Sequence, residues 1–264
     1  MSTIVFLHAH PDDEASQTSG TMARAADEGH RVVLVVATNG DHGAAPHDLA
    51  PGETVVDRRR READAAARVI GIHRLVRLGY ADSGMVGWEQ NTKEGAFAAA
   101  DVDEAAARVA AVLDEEDADV AVGYDWHGNY GHPDHVQVHR VLHRAAARAA
   151  RRPRVLESTM SRDALRGLAD AAGAAGEEAF DPDAPMDDGN PMGTPEAEIH
   201  WEVDVRDRLD RKRAALECHA SQTEDVGMML AMPPDVFAAV FGSEFYIEPG
   251  REPGLVEGWP FADP

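Results

Sequence analysis

Two short stretches concentrate the residue types that hold metal ions and move protons: Leu7-His8-Ala9-His10-Pro11-Asp12-Asp13-Glu14 and Gly131-His132-Pro133-Asp134-His135. Imidazole nitrogen and carboxylate oxygen are ligands that zinc accepts. His10 and Asp13 belong to one tight turn and can reach a common point. His135 supplies a third ligand if the chain brings the two turns together. Three protein ligands leave a coordination position open for water or substrate, which marks a catalytic rather than a structural site. The same ligand set accepts Fe(II) as well as zinc. One His-Pro-Asp alone is easily read as a turn with a cap. Two such motifs, each closing a different apolar run, are much harder to read as coincidence.

Two groups are then left over for acid–base work. Asp12 sits beside a ligand without needing to be one, the position of a general base acting on water. His132 lies three residues before His135, so a helix would carry both on one face. From there it can donate to a tetrahedral oxyanion or protonate a leaving amine. Asp134 is expected to orient His132, as carboxylates orient catalytic imidazoles; favouring the helix N-terminus is an equal alternative. His139 and His143 continue the face of His135 at four-residue steps, but one and two turns away, too far to share its ion. His8 is expected to support His10 from behind. Cys218 is the one cysteine, which excludes an intrachain disulfide and a cysteine-built zinc site.

An α/β sheet must position these side chains. Ile4 to Leu7, Val32 to Ala37, Leu75 to Leu78, Val120 to Val122 and Arg154 to Glu157 read as short buried strands. Ser16 to Glu28, Thr54 to Ile70, Asp101 to Glu116 and His132 to Arg151 read as the helices between them, with Asp101 an N-cap and Pro133 in a first turn. This alternation predicts a Rossmann-like three-layer sandwich: a mostly parallel sheet with helices on both faces. Ligands bind such sheets at the C-terminal ends of the strands, and the strand before the second motif should neighbour the first strand. Residues 173 to 197 are rich in Gly, Pro, Asp and Ala without periodicity and predict a mobile acidic loop. Glu198 to Val205 reads as a strand, Asp207 to His219 and Pro234 to Phe241 as helices, and Glu244 to Ile247 as a last strand. With no repeat and no linker, residues 1–264 are expected to form one domain.

Charge narrows the partners. The chain carries 48 acidic against 25 basic residues, a net charge of −23. Such a surface repels nucleic acid phosphate and anionic membranes. No stretch approaches the roughly 20 apolar residues of a membrane span, and the start lacks the basic and apolar segments of a signal peptide. The expectation is a cytoplasmic homo-oligomer with a small-molecule substrate.

The paired motifs resemble those of the PIG-L/LmbE-like zinc deacetylases, which remove acetyl from N-acetylglucosamine-containing compounds and include a deacetylase and an S-conjugate amidase of mycothiol metabolism. The likeness runs from about Ile4 to Leu156. It takes in Thr38-Asn39-Gly40, the run from Leu78 to Met85 and, weakly, His219-Ala220-Ser221-Gln222. It implies an LmbE-like fold, zinc on His10, Asp13 and His135, Asp12 as base, and His132 as oxyanion partner or acid. It adds Tyr130 as a tyrosine that closes over the site, Arg59 and Asp82 as grips on sugar hydroxyls, and Met85 among the substrate-facing residues. Gln17 stands where the mycothiol deacetylases carry Ser and the amidases Lys, and His42, after Asp41, stands where that branch is acidic. Both departures fall on substrate-facing positions.

The reading is therefore a zinc-dependent hydrolase that removes acetyl from an N-acetylglucosamine-type sugar. A related amidase would release a larger acyl group, as from a thiol conjugate. A metal-dependent phosphoesterase could use the same His and Asp set, but the chain has no phosphate-binding Gly-rich loop after its first strand. A sugar-binding protein without catalysis would have no need of both Asp12 and His132.

Overall fold

Ile4, Val5, Phe6 and Leu7 are all fully buried, and their side chains divide between two cores. Ile4 and Phe6 enter one cluster with Met22, Ala23, Ala25, Ile70 and Leu216. Val5 and Leu7 enter the other with Val109, Leu113, Val138 and Leu142. Successive residues of a strand point to opposite faces, so this division requires a sheet covered on both sides. The computed structural model, which describes residues 1–176 and 180–261, has that three-layer form.

The strands are β1 (Thr3–His8), β2 (Arg31–Thr38), β3 (Arg74–Tyr80), β4 (Val120–Tyr124), β5 (Arg154–Thr159), β6 (Trp201–Asp204), β7 (Ser243–Ile247) and β8 (Val256–Glu257). They make one sheet in the order β3-β2-β1-β4-β5-β7-β6-β8. β1 to β5 are parallel; β7 runs antiparallel to both β5 and β6. The chain leaves β1 toward β2 on one side and returns to β4 on the other. The switch point of the topology thus lies between β1 and β4, where such sheets bind ligands.

The helices are α1 (Asp13–Gln17), α2 (Ser19–Asp27), α3 (Val55–Ile70), α4 (Val102–Glu115), the short turn α5 (Gly128–Gly131), α6 (Pro133–Arg148), α7 (Arg162–Ala175), α8 (Leu209–Cys218), α9 (Asp225–Ala231) and α10 (Pro234–Phe241). α4 starts as expected, with the Asp101 side chain accepting from the backbone of Asp103 and Glu104.

Several expectations need correction. The helix expected over 16–28 is two, broken at Thr18. His132 is the N-cap of α6 and not part of it. α7 was not foreseen, and it turns the first residues of the expected 173–197 loop into helix, capped by Ser161 and by Gly176 in the left-handed conformation. Residues 177–179 of that loop lie outside the described residues. Its later part bridges back to the body, Ser161 to Thr194, and folds on itself, Pro185 to Pro191. α9 and β8 were also unforeseen. No helix among the described residues is long and apolar enough to cross a membrane.

Candidate active site and metal centre

β1 ends at His8, and the next four residues turn sharply into α1. Asp12 takes φ 121°, a conformation that costs a non-glycine residue on the order of 1–3 kcal/mol. It is held there from several sides. Arg59 donates to Asp12 Oδ2 at 2.7 Å and to the Pro11 carbonyl. Glu14 Oε2 accepts the Asp12 N–H at 2.9 Å. The result aims His10, Asp12 and Asp13 over the end of β1.

α6 brings the second motif to the same point from the end of β4. Three atoms converge: His10 Nδ1 and Asp13 Oδ2 are 3.3 Å apart, His135 Nε2 and Asp13 Oδ2 3.4 Å, and His135 Nε2 and His10 Nδ1 3.4 Å. Tetrahedral donors at ~2.0–2.1 Å from one ion lie ~3.3–3.4 Å from one another. The triangle fits a zinc-sized ion without rearrangement.

The remaining atoms of these side chains are spoken for. His10 Nε2 donates to Asp134 Oδ2 at 3.2 Å, and His135 Nδ1 donates to the Gly128 carbonyl at 3.2 Å. Each bond makes the outer nitrogen the donor, so that an ion would meet the inner one, as with outer partners of metal-binding histidines. Gly128 is required for this approach: at φ 65°, a Cβ there would lie 2.4 Å from that of His135. Gln17 Nε2 reaches the second oxygen of Asp13 at 3.3 Å. His132 is also close, one nitrogen each from His10, His132 and His135 lying within 4.8 Å of one another.

Electrostatics tell the same story. Burial disfavours the imidazolium form of His10, yet Asp82, Asp13 and Asp134 outweigh it and hold its pKa well above 6.5. Burial would raise the Asp13 pKa, but His135 and His10 hold it well below the usual range. Both shifts reflect the close approach of imidazole and carboxylate in this cluster.

Asp12 and His132 are tuned in opposite ways. Burial pushes the Asp12 pKa up to about 6, with Arg59 opposing. Burial lowers the His132 pKa to about 3, helped by His10 and His135, so His132 is neutral. Its Nδ1 accepts the Asp134 backbone N–H at 3.1 Å, which puts its own proton on Nε2.

Asp134 does not orient His132 as expected. Its carboxylate accepts from Ser83 N at 2.9 Å and Ser83 Oγ at 2.5 Å and holds His10. Arg59 is buried, with its guanidinium on Asp12, Pro11 and the Gly40 carbonyl. Asp82 lies 3.6 Å from His10 Nε2 and accepts from Gly84 N at 2.8 Å. Asp41 in turn accepts the Asp82 N–H at 2.9 Å. Met85 follows on the same loop, partly exposed. The Tyr130 ring stands 5.0 Å from that of His135 and 6.1 Å from that of His132, centroid to centroid. Burial raises its pKa, keeping the hydroxyl protonated. His8 bonds Tyr124 Oη at 2.8 Å and Thr18 Oγ1 at 2.7 Å, behind His10.

Sequence reasoning gave no role to Ser83, Glu14 or His219. His219 Nε2 bonds Glu14 Oε1 at 2.7 Å, both fully buried. The weak His219-Ala220-Ser221-Gln222 match is where the C-terminal part reaches the site: Ser221 bonds Glu62 of α3, and Gln222 the backbone of Ala44.

The sequence profile of the family described as "PIG-L: GlcNAc-PI de-N-acetylase" matches residues 5–146. A "1D-myo-inositol 2-acetamido-2-deoxy-alpha-D-glucopyranoside deacetylase" from Geodermatophilus obscurus is 36% identical, covering 97% of this chain and 95% of that protein. One of the same description from Streptomyces avermitilis is 39% identical, covering 92% and 90%. Among solved structures, an N,N'-diacetylchitobiose deacetylase from Pyrococcus horikoshii superposes with a TM-score of 0.58 over 94% of this chain and 82% of its own, at 19% identity, a likeness of fold. With a family profile matched across more than half its length and relatives aligned nearly end to end, the chain belongs to the PIG-L family.

Proposed function

We propose that the chain is a zinc-dependent N-deacetylase of an N-acetylglucosamine-type sugar, with His10, Asp13 and His135 as the ligands; Fe(II) could take the same place. The observation that carries this is the ligand triangle with an ionisable carboxylate and a neutral N–H donor beside it. When bound, zinc supplies Lewis-acid chemistry, polarising the acyl oxygen and making water acidic enough to attack near neutral pH. Asp12, with a pKa near 6, takes the proton of the attacking water. His132 Nε2–H and the Tyr130 hydroxyl donate to the oxygen that becomes negative. Asp12 then returns the proton to the departing amine, and acetate is released.

Asp134 holds His10 in its ligating tautomer. Asp82 and Met85, from the loop after β3, are assigned to the sugar. Arg59 is assigned first to the Asp12 turn, where one terminal nitrogen meets both the Pro11 carbonyl and Asp12 Oδ2. The substrate class follows the relatives, whose description names a 2-acetamido-2-deoxy-glucopyranoside of inositol.

The test offers the zinc-loaded protein N-acetylglucosamine, its dimer, the inositol glycoside, an N-acyl thiol conjugate of that glycoside and a phosphate ester, and measures amine by fluorescamine, and acetate, acylated amino acid and phosphate separately. Equal amine and acetate, abolished by a chelator, are expected. Amine with an acylated amino acid in place of acetate would assign an amidase. Phosphate release from ester substrates would assign a phosphoesterase, and no turnover at all would leave a sugar-binding protein.

A further inference from the structure

α6 carries a second group of metal-type ligands that shares no residue with the first. His139 and His143 are four residues apart, so they lie on one face of the helix, and their rings are 4.5 Å apart, centroid to centroid. Glu157, on β5, is buried beneath them. Both histidines address the same oxygen: Glu157 Oε1 is 2.6 Å from His143 Nε2 and 3.6 Å from His139 Nδ1. The Tyr124 backbone carbonyl is 3.1 Å from that same His139 Nδ1. One nitrogen from each ring and one Glu157 oxygen lie within 4.8 Å of one another.

We infer that His139, His143 and Glu157 form a second binding site for a divalent first-row transition ion, separate from the catalytic triangle. Two imidazoles and a carboxylate suit zinc, cobalt or nickel and are poor ligands for magnesium or calcium. His139 Nδ1, His143 Nε2 and Glu157 Oε1 supply the donors, with the Tyr124 carbonyl in reach as a fourth. A proton can bridge Glu157 to one ring at a time, whereas a dication engages both. The proton now on His139 Nδ1 would be carried on Nε2, leaving Nδ1 bare.

The contact at 2.6 Å is shorter than two ligands of one ion allow, ~3.3 Å, so binding must part His143 from Glu157. There is room for this. The His143 side chain is 32% exposed and borders a cavity of about 260 Å³ with Arg152, Pro153 and Glu248. That opening also admits water to the remaining coordination positions. The nearby cation Arg154 is already paired with Glu248 at 2.5 Å. The catalytic triangle needs no such movement, so the second ion is held more weakly. Tyr124 lies between the sites, its ring stacked on His135 at 4.4 Å and its carbonyl facing His139.

The test uses untagged, metal-stripped protein and Co²⁺ as the probe, with uptake measured by equilibrium dialysis and elemental analysis. The wild type should bind two equivalents. His143→Ala and Glu157→Gln should each bind one and keep their helical circular dichroism; His10→Ala should also bind one, and His10→Ala/His143→Ala none. His143→Ala should turn over substrate like the wild type. A second equivalent that persists in both His143→Ala and Glu157→Gln, or a wild type that binds no more than His143→Ala, overturns the site. The His10→Ala result separates this inference from the catalytic assignment, because it reads the second ion with the first ligand set broken.

Discussion

Asp134→Asn probes the assignment in which structure and sequence reading part most clearly. The carboxylate is fully buried and makes three bonds: two from Ser83, at 2.9 and 2.5 Å, and one from His10 Nε2, at 3.2 Å. Asparagine keeps the volume but loses the charge, and its amide must choose between Ser83 and His10. Outer partners of metal-binding histidines are worth 10–100-fold in affinity, about 1.4–2.7 kcal/mol. Asp82 Oδ1, 3.6 Å from the same nitrogen, can take over part of the role, so about tenfold is expected for Asp134→Asn alone. Asp82→Asn/Asp134→Asn should lose more than the two single losses combined. Zinc affinity is read by competition with a chromophoric chelator, and kcat/KM with zinc both limiting and saturating. The expected loss is in affinity, with most of kcat/KM restored at saturation. Unchanged affinity with a loss of rate that no added zinc restores would refute the argument and return Asp134 to His132.

Other outcomes follow from the same geometry. His132→Ala should lower kcat by the 10²–10³ typical of a lost oxyanion donor without removing the alkaline limb of the pH profile, since a group with a pKa near 3 is already neutral there; loss of that limb would show a cationic acid. With Asp12 titrating near 6, kcat/KM should fall below about pH 6, because the base must be ionised. Arg59 holds that pKa down, so Arg59→Gln should move the acid limb to higher pH, and should cost sugar and acyclic acetamide substrates alike; a loss confined to sugars would restore Arg59 to the hydroxyls. Lys212 and Glu244 pair at 2.6 Å in the interior, so Lys212→Met should destabilise by about 3–5 kcal/mol in denaturant unfolding, whereas an unchanged midpoint would mean that the helix α2 N–H groups on Glu244 suffice to carry its charge.

The central strands β1, β2 and β4 were legible because a strand buried on both faces must be apolar at nearly every residue, and Val32 to Ala37 is so. The convergence of His10, Asp13 and His135 was legible because both motifs follow strands of one parallel sheet, β1 and β4, which pair side by side. The role of Asp134 was not, since adjacency suggested His132; as N-cap, His132 stands outside the helix, and the carboxylate turns toward the end of β1. α7 was missed because Gly167 and Gly173 interrupt an alanine-rich segment, although Ser161 and Gly176 are legible caps in retrospect. His219 was marked only by the weak family likeness of its segment and given no role: its partner Glu14 is 205 residues away, and nothing local in either segment announces the bond.

That last bond bears on what could be cut from the chain. Every proposed zinc ligand, base and oxyanion donor lies before residue 146, where the family profile ends. Yet Glu14, which pins the strained Asp12 turn, rests on His219, and α2 begins on Glu244. A fragment stopping near 146 would hold the full set of reactive groups while leaving a carboxylate and a helix end without their partners. Portability of the chemistry is thus set by the C-terminal part of the chain, the end of α8 and strand β7, which contributes no proposed reacting atom. Transplanting the two motifs onto another parallel sheet would also mean supplying a buried imidazole beneath the first turn.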